Sequence, residues 1–508
     1  IAYARGDKQQ SLWIRNLAAN NEAEIIAPAV VEYRALTFSH DGQYLYFIRS
    51  DDSRAPEQLV FEPSLFEVSA RGGEPKELIR GARDFALSAD GRRLAFALLS
   101  ARGTAMVVAG KDGSGQRTFF ELNRPDRLTH FAWSPNGKAI TCSIEGSTDT
   151  KLIEIDIESG AQRPMSSQAW EKISGICPLS DGRYVIAARD SQSESSQLWL
   201  ISAGSQAQRI TDDLKDYSSP AQSGDSLVAI QSVETSGIGV SLREETSPLV
   251  QAANEGREGV FGLSFAPGGK ILYASEKGIE SDIWMMDIDS SNRKQLTQGA
   301  GINRFPAASP DGRYIVFVST RTGNSNVWRM NADGSKQIQL THSQRARLLW
   351  PQCSADGKWI VYASSENGKT TLWKVPASGG EAVQLTDENS LYPALSPDGK
   401  LIAFLSDAEK IEVVQFEGGR RVKTLEPARG RLNVIRWSVD GRSLTYATTR
   451  DGVTNIWIQS VDGGPPRQMT DYKDGLIFWF DWSSDGRWLA TSRGATRSDV
   501  VVIRNFGK

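Results

Sequence analysis

The sequence has no run approaching the ~18 apolar residues that a membrane span requires, so no segment of it is expected to cross a bilayer as a helix. It shows no secretory leader either: Ile1 opens directly onto strand-like Ile-Ala-Tyr-Ala-Arg without a Met, as in a piece cut from a longer chain with any anchor upstream. Cysteine is scarce. Cys142, Cys177 and Cys353 are odd in number and far apart, which fits neither a disulfide framework nor paired zinc ligands, so buried small side chains are expected. Charge of one sign is missing too. The 58 basic and 61 acidic side chains are interspersed, the net charge is −3 and there is no basic block, which argues against nucleic-acid binding.

What the chain does have is length and glycine. At 508 residues it exceeds a single hydrophobic core, and 46 Gly with 14 Trp point to many tight turns between aromatic-packed strands. One phrase recurs: Ser-x-Asp-Gly or a close relative, preceded by apolar residues and followed by an alternating apolar stretch. It appears as FSHDGQYLYF, LSADGRRLAF, ASPDGRYIVF, CSADGKWIVY, LSPDGKLIAF and WSSDGRWLAT, among others, with Gly42 the first of its glycines and Gly486 the last. A degenerate copy, QSGDSLVAI at 222–230, fills the one double gap, and the mean period is about 44 residues, as expected of four short strands in a propeller blade.

The phrase reads as a two-residue Asp-Gly hairpin joining two inner strands, since Gly takes positive φ cheaply and Asp bonds its own backbone. Later in each repeat comes a third strand, as in DIW at Trp284, NVW at Trp328 and TLW at Trp373. A short fourth strand then ends in Gln-Leu-Thr, at Thr297, Thr341 and Thr386. The third-strand tryptophans are expected to fill the layers between stacked blades.

Eleven hairpin phrases and an incomplete first unit make twelve blades, beyond the four to eight of one ring. The predicted fold is therefore all-β, tandem β-propellers of four-stranded antiparallel blades in two six-bladed rings, at 1–252 (first blade incomplete) and 253–508. The weakest pattern, around 238–258, marks the join. The last blade is read as FDWS, RWLATS and DVVVIRN, with the fourth strand supplied from elsewhere, SPLVQAA at 247–253 being the candidate.

Chemistry is sought and not found. There is no Gly-x-Ser-x-Gly nucleophile elbow and no kinase signature. Asn367-Gly368-Lys369-Thr370 resembles the end of a phosphate loop but falls between two strands and reads as a turn. His40, His130 and His342 have no partner at ligand spacing, and the hairpin aspartates, one per blade, are spread around the ring. No catalytic residue, metal site or cofactor is expected.

Residues just before each hairpin phrase line the mouth of a propeller's central channel. Four positions before the phrase's Ser stand Phe305, Trp350, Tyr392 and Trp479, with charged neighbours Arg304, Arg347, Glu388 and Asp474; the first ring offers Tyr33, Arg34 and Tyr217. These aromatics serve either as a collar for a peptide, protein or small ligand, or as packing between blades.

The stretch SPDGRYIVFVSTRTGNSNVWRMNADGSKQIQLT at 309–341 resembles the repeat of TolB-like propellers, a likeness that extends over essentially the whole chain. The order of the copies, as in KQQSLWIRNLA and FWFDWSSDGRWLATSRGATRSDVVVI, is similar to the C-terminal propeller region of bacterial, acidobacterial-type, membrane-anchored serine/threonine kinases. That resemblance implies a non-catalytic sensory or binding region outside the membrane, with the kinase domain and a membrane span upstream. The alternatives it leaves open are the propeller of a winged-helix membrane-bound regulator, a TolB-like envelope assembly protein, and the regulatory propeller of a hydrolase.

Overall fold

A computed structural model describes residues 1–508 except 7–8, 17–18, 20, 52–62, 101–102, 124–125, 147–149, 191–194, 203, 205, 214, 243–249, 278–279, 300, 345, 367–368, 408, 505 and 507–508. The fold is all-β, without a helix among the described residues. Most strands belong to four-stranded antiparallel sheets whose strands pair in chain order, which are the blades of β-propellers.

One blade shows why the sequence folds this way. Strands Asn303–Ala308, Tyr314–Ser319, Asn326–Asn331 and Ile338–Gln339 pair in that order. Successive side chains of a strand point to opposite faces. Ile315 and Phe317 therefore pack with Trp328 and Met330 against Leu272 and Ile283 of the preceding blade, while Tyr314 and Val316 meet Leu348, Ile360 and Tyr362 of the next. Both faces are apolar, so neither can be left uncovered, and the third-strand tryptophan fills the layer between blades as its repetition implied.

The hairpin differs from the expected two-residue turn. The closing pair is Ser309 and Tyr314, with a loop of intervening residues in which Gly312 takes φ 69°. The serine is as important as the aspartate: Ser309 Oγ donates to Asp311 Oδ1 at 2.6 Å and accepts from Tyr314 N at 3.1 Å, while Arg313 N donates to Asp311 Oδ1 at 3.0 Å. These donors, the serine hydroxyl first, hold the Asp311 carboxyl down at about 2. The same arrangement recurs at Ser39, Ser88, Ser354, Ser396, Ser438 and Ser483.

The Gln-Leu-Thr phrase has its own bond. The threonine hydroxyl accepts the backbone N–H of the third strand at 2.9 Å in Ile283 to Thr297, Val327 to Thr341, Leu372 to Thr386, Ile456 to Thr470 and, in a variant Arg-Ile-Thr phrase, Leu198 to Thr211. In three of the five it passes its own proton to a side chain at the start of that strand: Thr297 to Asp282 Oδ1 at 2.7 Å, Thr341 to Asn326 Oδ1 at 3.0 Å and Thr470 to Asn455 Oδ1 at 2.9 Å. Each fourth strand is short, and this clasp fixes it beyond its few ladder bonds.

The chain forms two compact units, Ile1–Ser232 with Ser498–Lys508, and Val233–Arg497. These differ from the expected segments 1–252 and 253–508 because two long strands, Ser226–Leu242 and Trp488–Arg504, each contribute to both units. In the first unit the last sheet is Asp216–Ser223 beside 226–232 beside 498–504, with Ser232 Oγ and Ser498 Oγ 2.8 Å apart. Its first sheet, Ala2–Arg5, Gln10–Asn16 and Asn21–Ala29, has three strands among the described residues.

In the second unit the last sheet runs Leu476–Trp482, 488–497, 233–242 and 250–256. Val250, Gln251 and Ala252 do lie there as its outer strand, opposite Val240, Gly239 and Ile238; 243–249 fall outside the described residues. The third strand, however, is 233–242 and not DVVVIRN, whose residues from 498 on belong to the first unit. The inner strands of this unit neighbour one another in a closed cycle of six. Asp481 bridges the closure, accepting from Phe265 N at 2.9 Å and from Arg436 Nε at 2.8 Å.

Asn367 and Gly368 lie outside the described residues; the strands on either side, Trp359–Glu366 and Lys369–Pro376, pair up to Glu366 opposite Lys369. Cys142 and Cys177 are buried and Cys353 half-buried; burial pushes their thiols up to about 12, 11 and 12.

A substitution tests the threonine clasp. Thr297→Val keeps the shape but leaves the Ile283 N–H and the Asp282 carboxylate short of a partner, a loss of about 1–3 kcal/mol for a buried donor. The urea midpoint of the second unit falls accordingly, whereas Thr297→Ser, which keeps the hydroxyl, loses much less.

Candidate functional site

Each inner strand of the second unit carries a bulge just before its hairpin, marked by register shifts at Arg304/Ala307, Leu349/Gln352, Leu391/Ala394, Asn433/Ile435 and Ile477/Trp479. At four of these bulges the residue four places before the hairpin serine has left-handed backbone: Phe305 at φ 54°, Trp350 at 52°, Tyr392 at 53° and Val434 at 42°. That region is costly for bulky side chains, of order 1–3 kcal/mol each, and a bulge re-aims the side chain it carries. In the first blade the same place is taken by Gly262, where a Cβ would stand 2.6 Å from Phe305 Cα.

The re-aimed rings meet. Phe305 lies 6.3 Å from Trp350 and 5.6 Å from Trp479, Trp350 stacks on Tyr392 at 4.3 Å with 29° between planes, and Phe261 closes on Phe305 at 6.4 Å. The four aromatics singled out by spacing thus come from four blades to one cluster. Phe305 and Trp479 are buried in it, whereas Trp350 and Tyr392 are half-buried. Packing accounts for Phe305 and Trp479, while ring surface stays partly exposed at Trp350 and Tyr392.

The charged candidates separate. Arg304 is buried, 3% exposed, and is spent on an ion pair with the fully buried Glu276, which also meets Arg257 at 2.9 Å. Its guanidinium lies 3.5 Å from the Phe261 ring centre, with Arg257 on the same ring at 4.9 Å. Arg304 is therefore a fixed part of the inter-blade layer and not a mouth residue, because its spacing neighbour Phe305 occupies the outward turn of the bulge. Arg347 is half-buried at the start of strand Arg347–Cys353. Asp474 is exposed, bonded through its carbonyl to Arg493 at 2.8 Å, and Glu388 pairs with Arg421 at 2.7 Å.

In the first unit two of the sequence candidates are core: Tyr33 packs edge-on to Phe47 at 5.4 Å, and Tyr217 is buried with its hydroxyl bonded to Asp213 at 3.0 Å. Arg34 is on the surface near Glu32, 3.6 Å away. The position equivalent to Phe305 holds Ala35, Asp84, His130, Gly175 and Ser219 there, and Ala35 and Ser219 repeat the left-handed backbone at 52° and 49°. Burial raises the Asp84 carboxyl to about 7, against the pull of the Phe85 N–H and the Arg34 charge, and burial and Lys172 lower His130. The aromatic signal that found the second unit's set is absent here. The register alone identifies these residues.

Among the described residues, the side chains that make up the aromatic cluster are apolar and aromatic, with no carboxylate, histidine or cysteine among them. Among the described residues no group of three or more His, Cys, Asp or Glu side chains is placed to hold a metal ion. What the cluster offers is ring surface.

Comparison with known proteins agrees with the fold. Residues 251–439, from the first blade of the second unit into its fifth, match the family described as the TolB beta propeller domain. A 96-residue stretch is 30% identical to tricorn protease homolog 1 of Streptomyces coelicolor, covering 19% of this chain and 9% of that protein. A 95-residue stretch is 29% identical to dipeptidyl-peptidase 5 of Porphyromonas gingivalis, covering 16% and 14%. The matches therefore span a small part of these relatives' length. Among solved structures, the tricorn protease aligns at 10% identity over 99% of this chain and 62% of its own, TM-score 0.36; TolB from Acinetobacter baumannii aligns at 15% identity over 92% and 81%, TM-score 0.24.

Two measurements check this geometry. Glu276→Ala removes the buried carboxylate that Arg304 and Arg257 both meet and destabilises the second unit by about 3–5 kcal/mol, while replacing Glu276 and Arg304 together by apolar residues of similar size restores most of it, as buried ion pairs generally behave. Asp84 carries a folded pKa raised above its unfolded value, so its favourable contribution is complete below pH ~4 and is lost as pH rises through about 7. Urea midpoints of the first unit from pH 4 to 8 therefore decline, and Asp84→Asn flattens that decline; an unchanged slope contradicts it.

Proposed function

We propose that this chain is a non-catalytic recognition module in which the half-buried Trp350–Tyr392 pair receives a short peptide, a protein segment or a small ligand with an apolar face. The observation that supports this reading is the strained backbone: three bulky aromatics are held in a costly conformation, and the pair left half-exposed is stacked at 4.3 Å. Packing alone would favour burying all four. Aromatic surface of fixed orientation loses little entropy on binding.

The setting proposed for this module is the extracytoplasmic side of a bacterial membrane, as the sensory part of an anchored signalling protein with a kinase domain upstream. That setting rests on the sequence resemblance of the repeat order alone. A second setting, a propeller that admits or holds substrate for a hydrolase, draws on the short matches to a tricorn protease homolog and a dipeptidyl-peptidase. Both settings ask the same of the aromatic pair.

Selection of binders from a random-peptide library on the purified chain tests the reading. Peptides that bind should lose at least about tenfold in affinity to Trp350→Ala and Tyr392→Ala, since aromatic anchors carry 2 kcal/mol or more, while those variants keep their unfolding midpoint within a few degrees. Binders indifferent to both substitutions, or turnover of chromogenic peptide substrates by the chain itself, would contradict it.

A further inference from the structure

The ring set of the second unit is interrupted at one blade. In register, the residues four places before the hairpin in its six blades are Gly262, Phe305, Trp350, Tyr392, Val434 and Trp479. The first blade has no room for a side chain there, since a Cβ on Gly262 would stand 2.6 Å from Phe305 Cα, and Phe261 beside it supplies a ring 6.4 Å from Phe305 instead. The fifth blade has no such substitute, because Val434 is flanked by Asn433 and Ile435. Among the described residues the ring contacts run from Phe305 to Trp479 on one side and through Trp350 to Tyr392 on the other, and they end at Tyr392.

Val434 is also the residue least suited to its place. Its backbone is left-handed at φ 42°. The two Cγ atoms of a β-branched side chain crowd the backbone in that region, where a side chain with a single Cγ crowds it less. Phe305, Trp350 and Tyr392 take the same conformation at 54°, 52° and 53° with one Cγ each. An aromatic residue at 434 would therefore be less strained than the valine and would carry the stack on from Tyr392. The chain keeps a buried valine there instead, and Tyr392 and Trp350 stay half-buried. Strain retained against an easier alternative is a mark of ligand sites.

We propose that an aromatic side chain of a peptide segment stacks on Tyr392 in the position that a ring on the fifth blade would take, and that Val434 sets this specificity by being too short to take it. What the fifth blade omits is one side chain, so the matching chemistry is one side chain. The inference rests on the recognition reading of the Trp350–Tyr392 pair and narrows it from an apolar face to a ring. A short residue at 434 leaves the Tyr392 ring available, whereas an aromatic one there covers it from within the chain.

The probes are peptides selected from a random library on the intact chain, with affinities read by fluorescence anisotropy and urea midpoints measured alongside. Val434→Phe is expected to hold or raise the midpoint, since it removes the β-branch and adds a ring contact, and to weaken the peptides at least about tenfold. Val434→Gly, unstrained at that φ, keeps their affinity. Exchange of the peptides' own aromatic residue for Leu costs at least about tenfold on the unaltered chain, a measurement independent of how any protein variant folds. Four results overturn the proposal and leave the recognition reading standing: peptides that need Trp350 and Tyr392 but carry no aromatic residue, undiminished binding to Val434→Phe, equal losses to Val434→Gly and Val434→Phe, or a Val434→Phe midpoint well below that of the unaltered chain. Peptides indifferent to Trp350→Ala and Tyr392→Ala overturn that reading first, and this one with it.

Discussion

A propeller blade is a sheet with two apolar faces, and everything else in this molecule follows from covering both. In the blade at 303–339, Phe317 and Trp328 need the preceding blade while Val316 and Tyr314 need the next. No blade is stable alone, and a row of them leaves two faces bare unless it turns back on itself. The second unit turns back, with Asp481 joining the fifth, sixth and first blades through one carboxylate. The small fourth strands are tolerated because the threonine clasp, and not ladder length, holds them.

The same constraint shapes the candidate site. Inner strands crowd toward the axis, and a flat strand would aim its side chains only at the neighbouring blades. The bulges break that rule at one residue per blade, and the left-handed backbone of Phe305, Trp350 and Tyr392 is the cost of turning a ring toward the axis. Contact among the rings offsets it for Phe305, which is buried against Trp479. For Trp350 and Tyr392 part of the ring surface is left to solvent, and that remainder is what a ligand would use.

The blades were legible in the sequence because their signals are local. Ser-x-Asp-Gly encodes a turn within six residues, and Gln-Leu-Thr encodes a clasp reaching back about fourteen. The aromatic set was also legible, since its spacing from the hairpin serine is constant, although spacing could not separate the buried Phe305 from the half-exposed Trp350. What was not legible depends on pairing over hundreds of residues. Ser226–Leu242 and Trp488–Arg504 look like the end of one blade and a weak linker, or like two short strands, until each is laid beside the other. Arg304 was misplaced for a related reason: its partner Glu276 is in another blade, and no neighbour in sequence announces a buried ion pair.

Aromatic recognition at Trp350 and Tyr392 is the central claim for function, and side-chain solvent access addresses it most directly. Hydroxyl-radical footprinting of the intact chain, with and without a selected peptide, reads each ring separately. The account predicts that oxidation of Trp350 and Tyr392 falls on binding while Trp13 and Trp457 react as before. Protection of those remote rings with Trp350 and Tyr392 unchanged would contradict it.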